Sequence, residues 1–198
     1  MTPDPLPACG GAPALTTTAV AASPVGSYPI VVSIGTLSAA NYDFSFVNGR
    51  LAVTPVALTV SADSKARLYG SPNPAFTASF NGFVLSEDPS VLGGTLVIGT
   101  PAITTSGVGN YPIVLGGLTS ANYTITFVPG VLVIAPATVT VTADDKLIFF
   151  GDALPTLTAT PTGFVLGETA AVLSGQTVLT TSAILSSPVG TYPISVAQ

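Results

Sequence analysis

The chain has no histidine, no tryptophan, one methionine and one cysteine in 198 residues, and only 7% of those residues are charged. Each shortage closes off a class of function. Without histidine, the usual general base near neutral pH and the commonest metal ligand are both gone. With a single thiol beside that, a zinc site has no ligand set. Cys9, alone, cannot staple the chain internally. Four basic residues against nine acidic ones, a net charge of −5, exclude a nucleic-acid reader, which needs clustered Lys and Arg. Hydrolysis by paired carboxylates needs two acids within roughly 5–10 Å. The middle of the chain offers only Asp63, Glu87 and Asp88, and the last two suit the start of a helix better. Neither a P-loop nor a GxGxxG stands anywhere. No catalytic or cofactor-binding residue emerges, and the chain reads as no enzyme.

Long apolar runs are also missing, although the mean hydropathy is +0.68. A membrane-spanning helix needs about 20 predominantly apolar residues. Here Thr, Ser, Gly, Pro and Asn break every run within a few positions. A membrane barrel needs strands of about 10 residues with aromatic girdles, and closely spaced Pro and Gly argue against them. A soluble chain without membrane insertion is expected. Residues 1–30 lack the basic and apolar regions of a signal peptide, so an export signal would lie upstream.

What the chain has in abundance is itself. Gly26-Ser-Tyr28-Pro29-Ile30 returns as Gly109-Asn-Tyr111-Pro112-Ile113 and as Gly190-Thr-Tyr192-Pro193-Ile194. Asn41-Tyr42 returns as Asn122-Tyr123, and Ala62-Asp63-Ser-Lys65 as Ala143-Asp144-Asp-Lys146, both 81 residues later. Residues 56–117 align without a gap on 137–198, with 27 of 62 positions identical. Such a period marks a tandem-repeat architecture. The organisation reads as an unassigned segment 1–10, the C-terminal part of a first copy at 11–55, a complete copy at 56–136, and the N-terminal part of a third at 137–198.

Within one copy the pattern is that of strands. Leu58, Val60 and Ala62 alternate with Thr59 and Ser61, the period-two sign of a half-buried strand. A turn follows at Leu68-Tyr69-Gly70-Ser71-Pro72, then a strand at 76–80 running on into Phe83-Val84-Leu85. Ser86-Glu87-Asp88-Pro89 predicts a helix of about two turns, capped by Ser86 and stopped by Gly93-Gly94. Strands are expected near 95–98, 102–105, 111–115, 122–127 and 131–134. Val128-Pro129-Gly130-Val131 and Val47-Asn48-Gly49-Arg50 are expected to be hairpin turns. The fold class is mostly β: tandem immunoglobulin-like sandwiches with one short helix each, or β-grasp-like modules in the alternative. Short linkers at Thr54-Pro55 and Ala135-Pro136 imply end-to-end neighbours in a semi-rigid rod.

Candidate sites are sparse. Calcium needs six to eight oxygen ligands, commonly several carboxylates. Asp63, with its counterpart Asp144 and neighbouring Asp145, is the weak candidate set, competing with local pairing to Lys65 and Lys146. Tyr28, Tyr111 and Tyr192 sit in identical settings, which points to a structural job: ring packed, hydroxyl on a backbone partner. Tyr42, Tyr123, Tyr69, Gly70 and Gly151 complete the repeated motif positions. The Asn122-Tyr-Thr124 sequon reads as incidental to the repeat.

The order Ala-Asp-x-Lys, Tyr69-Gly70-Ser71, Gly82-Phe-Val-Leu85, Gly-x-Tyr-Pro-Ile, Asn-Tyr and a closing Val-Leu-Val-Ile resembles the MBG-type repeat with a Tyr-Gly-x motif. Such repeats occur in tandem in large bacterial surface proteins and adhesins. The third copy departs from the motif with Phe149-Phe150-Gly151, which argues against a polar role for the Tyr69 hydroxyl. The resemblance implies export and a place in a surface-displayed array, with no catalytic residue to carry over. The expected function is a structural stalk whose partners are neighbouring repeats. In the alternative, the repeats bind host glycans or matrix proteins weakly and multivalently. Head-to-tail self-association, with 137–198 of one chain completed by 11–55 of another, is the further expectation.

Overall fold

A computed structural model describes residues 10–197, so Cys9 and all of the 1–10 segment except Gly10 lie outside the described residues. In chain order the strands are β1 Ala14–Thr17, β2 Gly26–Ser33, β3 Gly49–Val53, β4 Val56–Ala62, β5 Lys65–Leu68, β6 Ala78–Asn81, β7 Gly93–Gly99, β8 Gly109–Thr119, β9 Tyr123–Val128, β10 Gly130–Ala135, β11 Thr140–Ala143, β12 Ala159–Thr162, β13 Val178–Thr181 and β14 Ile194–Ala197. Single 3-10 turns stand at Pro89–Val91 and Ala170–Val172. The chain is mostly β, built as several small sheets. Among the described residues no helix is long and apolar enough to cross a membrane.

The described residues fall into two compact units that do not follow the sequence repeat. One takes the residues up to Ala62 with Thr77–Gly99 and Val114–Pro129; the other takes Asp63–Phe76, Thr100–Ile113 and the residues from Gly130 onward. The complete copy therefore contributes to both.

In the first unit, β1, β2 and β3 form an antiparallel sheet in that order, with Tyr28 opposite Leu51. A second sheet runs β6-β4-β9, with β4 antiparallel to β6 and parallel to β9. β7 pairs with the last part of β8. The alternation in β4 does what its pattern demands: Leu58 and Val60 are fully buried while Thr59 and Ser61 are partly covered. Leu58, Val60 and Tyr123 make the core. Phe80, Phe83, Ile125 and Phe127 pack on it from their own sheet and loop, and Leu96, Leu115 and Leu118 from β7 and β8. Burying a Leu or Val side chain contributes about 1.5–3 kcal/mol, so this small cluster is the chief reason the unit holds together.

In the second unit, β10 lies between β5, to which it is parallel, and the first part of β8, to which it is antiparallel. Leu132 and Ile134 are buried beneath it with Ile113. β11 pairs with β12 and β13 with β14, both antiparallel.

Four expectations are corrected. The helix expected from Ser86 is one 3-10 turn; its cap is Asp88, whose Oδ1 accepts the Ser90 N–H at 2.8 Å. Hydrogen bonding from the Ser90 side chain, with the Ser90 N–H second to it, holds the Asp88 carboxyl below its ordinary range. Ser86 is unavailable as a cap because it sits at φ +59° in the preceding turn. The segment 102–105 is no strand. Ser106 closes it on Ile103, donating its N–H to the Ile103 carbonyl and accepting the Ile103 N–H on Oγ, both at 2.9 Å. The same two bonds close Val20 to Ser23 and Ile184 to Ser187. Val128-Pro129-Gly130-Val131 is no hairpin either, because β9 pairs with β4 while β10 pairs with β5 and β8. Asn48-Gly49 likewise leads into β3 without a preceding strand. The Asn48 side chain instead accepts the Val32 N–H at 3.2 Å.

Candidate functional site

The most constrained geometry in each unit is a four-residue turn; in the first unit it spans Val84-Leu85, expected to run on from a strand, and Ser86-Glu87, expected to start a helix. In the turn from Val84, the Glu87 N–H donates to the Val84 carbonyl at 3.0 Å, with Leu85 at φ +55° and Ser86 at φ +59°. Its counterpart runs from Val165 to Glu168, with the same bond at 3.0 Å, Leu166 at φ +57° and Gly167 at φ +75°. Positive φ at both central positions is the type I′ arrangement, which suits Asn or Gly. A leucine there costs about 1–2 kcal/mol and persists only where its surroundings demand it. Each turn lifts a glutamate out at its end.

What the glutamates hold differs between the two units. In the first, the Tyr123 hydroxyl donates to Glu87 Oε2 in a short hydrogen bond and accepts the Val84 N–H at 3.1 Å. The Tyr123 ring is buried and meets Phe83 edge-on at 5.4 Å. The bond to Glu87 and the burial raise the Tyr123 pKa above its ordinary 10.0, against the opposing Val84 N–H. In the second unit, Glu168 Oε1 accepts the hydroxyl of Tyr69, 99 residues away, at 2.7 Å. That bond raises the Tyr69 pKa in the same direction. The Phe150 counterpart thus misled the sequence reading: the Tyr69 hydroxyl has a polar partner.

Tyr69 reaches Glu168 from a turn of its own. Ser71 N–H donates to the Leu68 carbonyl at 3.2 Å, Gly70 stands at φ +79°, and Tyr69 N–H is held by the Ala135 carbonyl at 2.8 Å. Gly70 is required for a second reason. A Cβ there would lie 2.6 Å from Val165 Cγ2 and 2.7 Å from Val165 Cβ, so backbone rests directly on the Val165 side chain. At Gly151, the counterpart with φ +91°, nothing lies within 4 Å of the same position. The Tyr69-Gly70 turn on the Val165–Glu168 turn is thus a joint between the second and third copies of the repeat, formed inside one compact unit.

Behind the Tyr69 turn is a buried cation. Arg67 is 8% exposed and donates through Nε to Asn73 Oδ1 at 2.8 Å and through its terminal nitrogens to the carbonyls of Leu68 at 3.1 Å and Ile103 at 2.6 Å. Asn73 Nδ2 continues the chain to the Ala102 carbonyl at 2.7 Å. This clamp ties β5 to the 102–106 loop. The third copy replaces both members together, with Ile148 for Arg67 and Leu154 for Asn73. That paired exchange is the signal the sequence carries for the clamp.

The remaining tyrosines have local work. The hydroxyls of Tyr28, Tyr111 and Tyr192 each donate to a carbonyl four residues upstream: Pro24 at 2.8 Å, Gly107 at 3.1 Å and Pro188 at 2.9 Å. The motif brings a ring and a loop together three times over, much like the tyrosine corner of sandwich domains. Tyr42 is 76% exposed, unlike its counterpart Tyr123, because the stretch around it pairs with no strand among the described residues. Asn122 is engaged as well, its Oδ1 accepting the Val25 N–H at 3.0 Å.

The acidic candidates do not converge. Asp144 accepts the hydroxyls of Thr158 at 2.5 Å and Thr160 at 2.7 Å, and those bonds, with Lys146 nearby, lower its pKa. Lys146 reaches it through the Thr158 hydroxyl, donating at 2.7 Å, in place of a direct pair. Asp145 is exposed beside it, and Asp63 has a partner of its own. Among the described residues no three His, Cys, Asp or Glu side chains gather where a metal could be held.

The family description MBG domain (YGX type) matches the chain three times, at residues 6–52, 58–133 and 139–198. The chain belongs to that family, as a tandem of its repeats. No curated protein matches it.

Proposed function

We propose that this chain is a non-catalytic stretch of stalk in a large secreted or surface-displayed bacterial adhesin-like protein, where its repeats set spacing and stiffness. The observation that carries the reading is the joint in the second unit. Tyr69, Gly70, Val165 and Glu168 come from successive copies and lock one to the next through a hydrogen bond and a contact only glycine permits. A contact that joins successive copies is what an array needs to fix its spacing. Family membership supports it, as do the low charge and the absence of histidine. The finer fold we propose is a tandem of small immunoglobulin-like sandwich modules. In its favour, the core residues of β4 and β9 meet leucines of β7 and β8.

The alternative, repeats that themselves grip glycans or matrix protein, asks for an exposed aromatic in the same place in every copy. Tyr42 is exposed and Tyr123 buried, and the three Gly-x-Tyr hydroxyls are all engaged. A broad glycan and matrix-protein array, probed with the chain as monomer and as a multimerised form, separates the two. Multimerisation can raise avidity 10²–10⁴-fold, enough to reveal weak sites. Silence from both forms is the expected result. Saturable binding that an aromatic substitution abolishes would make the repeats adhesive instead.

A further inference from the structure

The first unit contains the same docking wall, and among the described residues no Tyr-Gly turn is seated on it. Val84, Leu85 and Glu87 line a cleft of about 120 Å³, together with Asn122, Tyr123 and the 21–25 loop. Their counterparts Val165 and Glu168, at the 81-residue offset, are the residues that hold Tyr69 and Gly70 in the second unit. The backbone of the wall is the same in both places, down to a leucine at φ +55° and +57°. The chemistry is complementary too. Tyr123 engages one carboxylate oxygen of Glu87, as Tyr69 engages one of Glu168, which leaves a second oxygen on each glutamate. An ionised carboxylate has two oxygens and room for several donors.

From this equivalence we propose that the cleft beside Glu87 is a seat for the Tyr-Gly turn of a further repeat. The glutamate of each repeat bridges two tyrosine hydroxyls, one from its own Asn-Tyr segment and one from the turn of its neighbour. The partner is defined by chemistry: a β-turn with tyrosine and glycine at its central positions, the glycine lying flat on Val84 and the hydroxyl reaching Glu87. This deepens the stalk reading, on which it rests, by naming the contact that joins repeats. It also gives the strained leucines a reason to exist, since the I′ turn aims the valine and the glutamate at the incoming turn.

The test uses the whole chain, labelled for amide NMR, titrated with a synthetic peptide copying residues 63–74. Saturable shifts confined to Val84–Glu87, Asn122 and Tyr123 are expected. A peptide with Tyr69→Phe should bind roughly tenfold more weakly, the worth of a hydrogen bond to a charged group. A peptide with Gly70→Val should not bind. Glu87→Gln in the chain should bring the Tyr and Phe peptides to within a few-fold of each other. No shift at Val84–Glu87 with millimolar peptide overturns the proposal, and so do equal shifts from the Gly70→Val peptide. The stalk reading fails separately, on array binding by the repeats.

Discussion

Exchanging Arg67 and Asn73 for the residues of the third copy tests whether that buried clamp is one cooperative unit. Arg67→Ile removes three hydrogen bonds from a nearly buried guanidinium; it leaves Asn73 Oδ1 without its donor and the Leu68 and Ile103 carbonyls with only the N–H of Ser71 and Ser106. Each orphaned acceptor costs about 1–3 kcal/mol, partly offset because a buried charge is no longer desolvated. The expected net loss is about 3 kcal/mol. Asn73→Leu strands Arg67 Nε and the Ala102 carbonyl instead, for a loss of similar size, about 3 kcal/mol. In the double variant the guanidinium and the amide leave together, and two apolar side chains occupy the site as Ile148 and Leu154 do 81 residues later. Its loss should be about 1–2 kcal/mol, so the coupling between the sites is about 4 kcal/mol. Urea titration by circular dichroism reads this as a midpoint that falls in each single variant and recovers in the double at constant slope. Either single change should lower Tm by roughly 6–12 °C. Losses that simply add would refute the clamp as a unit. So would single variants that unfold with the parent.

Three more predictions follow from the joints and the titrating groups. Gly70→Ala should destabilise more than Gly151→Ala: both incur the left-handed penalty of about 1–2 kcal/mol, but only Gly70 has Val165 at 2.6 Å, and equal losses by calorimetry would remove the joint from consideration. Asp144, held below its ordinary 3.8 by Thr158 and Thr160, contributes stability present above that value and lost as pH falls through the lower folded pKa. Asp144→Asn should therefore flatten the acid side of a stability–pH curve and leave the neutral region's slope unchanged. Tyr123 and Tyr69, raised above 10.0 by Glu87 and Glu168, contribute stability that is full below pH 10.0 and lost as pH climbs through the raised values. The paired Tyr→Phe variants should lose that alkaline decline, and an unchanged decline would show that other groups cause it.

The repeat, the β class and the position of β4, β7, β8, β9 and β10 were all legible from period and alternation. Leu58 and Val60 advertise themselves because a half-buried strand has no other way to be written. β5 was missed for a physical reason. Lys65-Ala66-Arg67-Leu68 alternates the wrong way round: Ala66 and Leu68 are exposed, and the inward residue is an arginine satisfied by the carbonyl of Leu68 beside it and that of Ile103, 36 residues away. The segment 102–105 looked like a strand because Ile103-Thr104-Thr105 is β-branched, yet one serine three residues on diverts the backbone bonds locally. The parallel pairing of β4 with β9 was invisible for another reason. Short loops and Pro-Gly suggest hairpins, whereas sheet partners are chosen by which apolar faces meet.

The joint was the hardest feature to read, and the reason lies in how the repeat was compared. Aligning copies rewards identity, so the change from Tyr69 to Phe150 counted against the hydroxyl. Yet a joint between copies is made of unlike parts: the turn of one and the glutamate of the next. Its members need matching only where both halves are in use. Glu87 and Glu168 are identical because each faces a tyrosine, one from its own copy and one from the copy before. Gly82-Phe83-Val84-Leu85 recurs unchanged as Gly163-Phe164-Val165-Leu166 because that wall has the same shape to keep in both places. Variation in the turn and constancy in the wall are what a docking site repeated along one chain should show. On that logic the residue that decides whether two repeats lock is the tyrosine of the donor, and the residue that allows the lock at all is the glutamate of the acceptor.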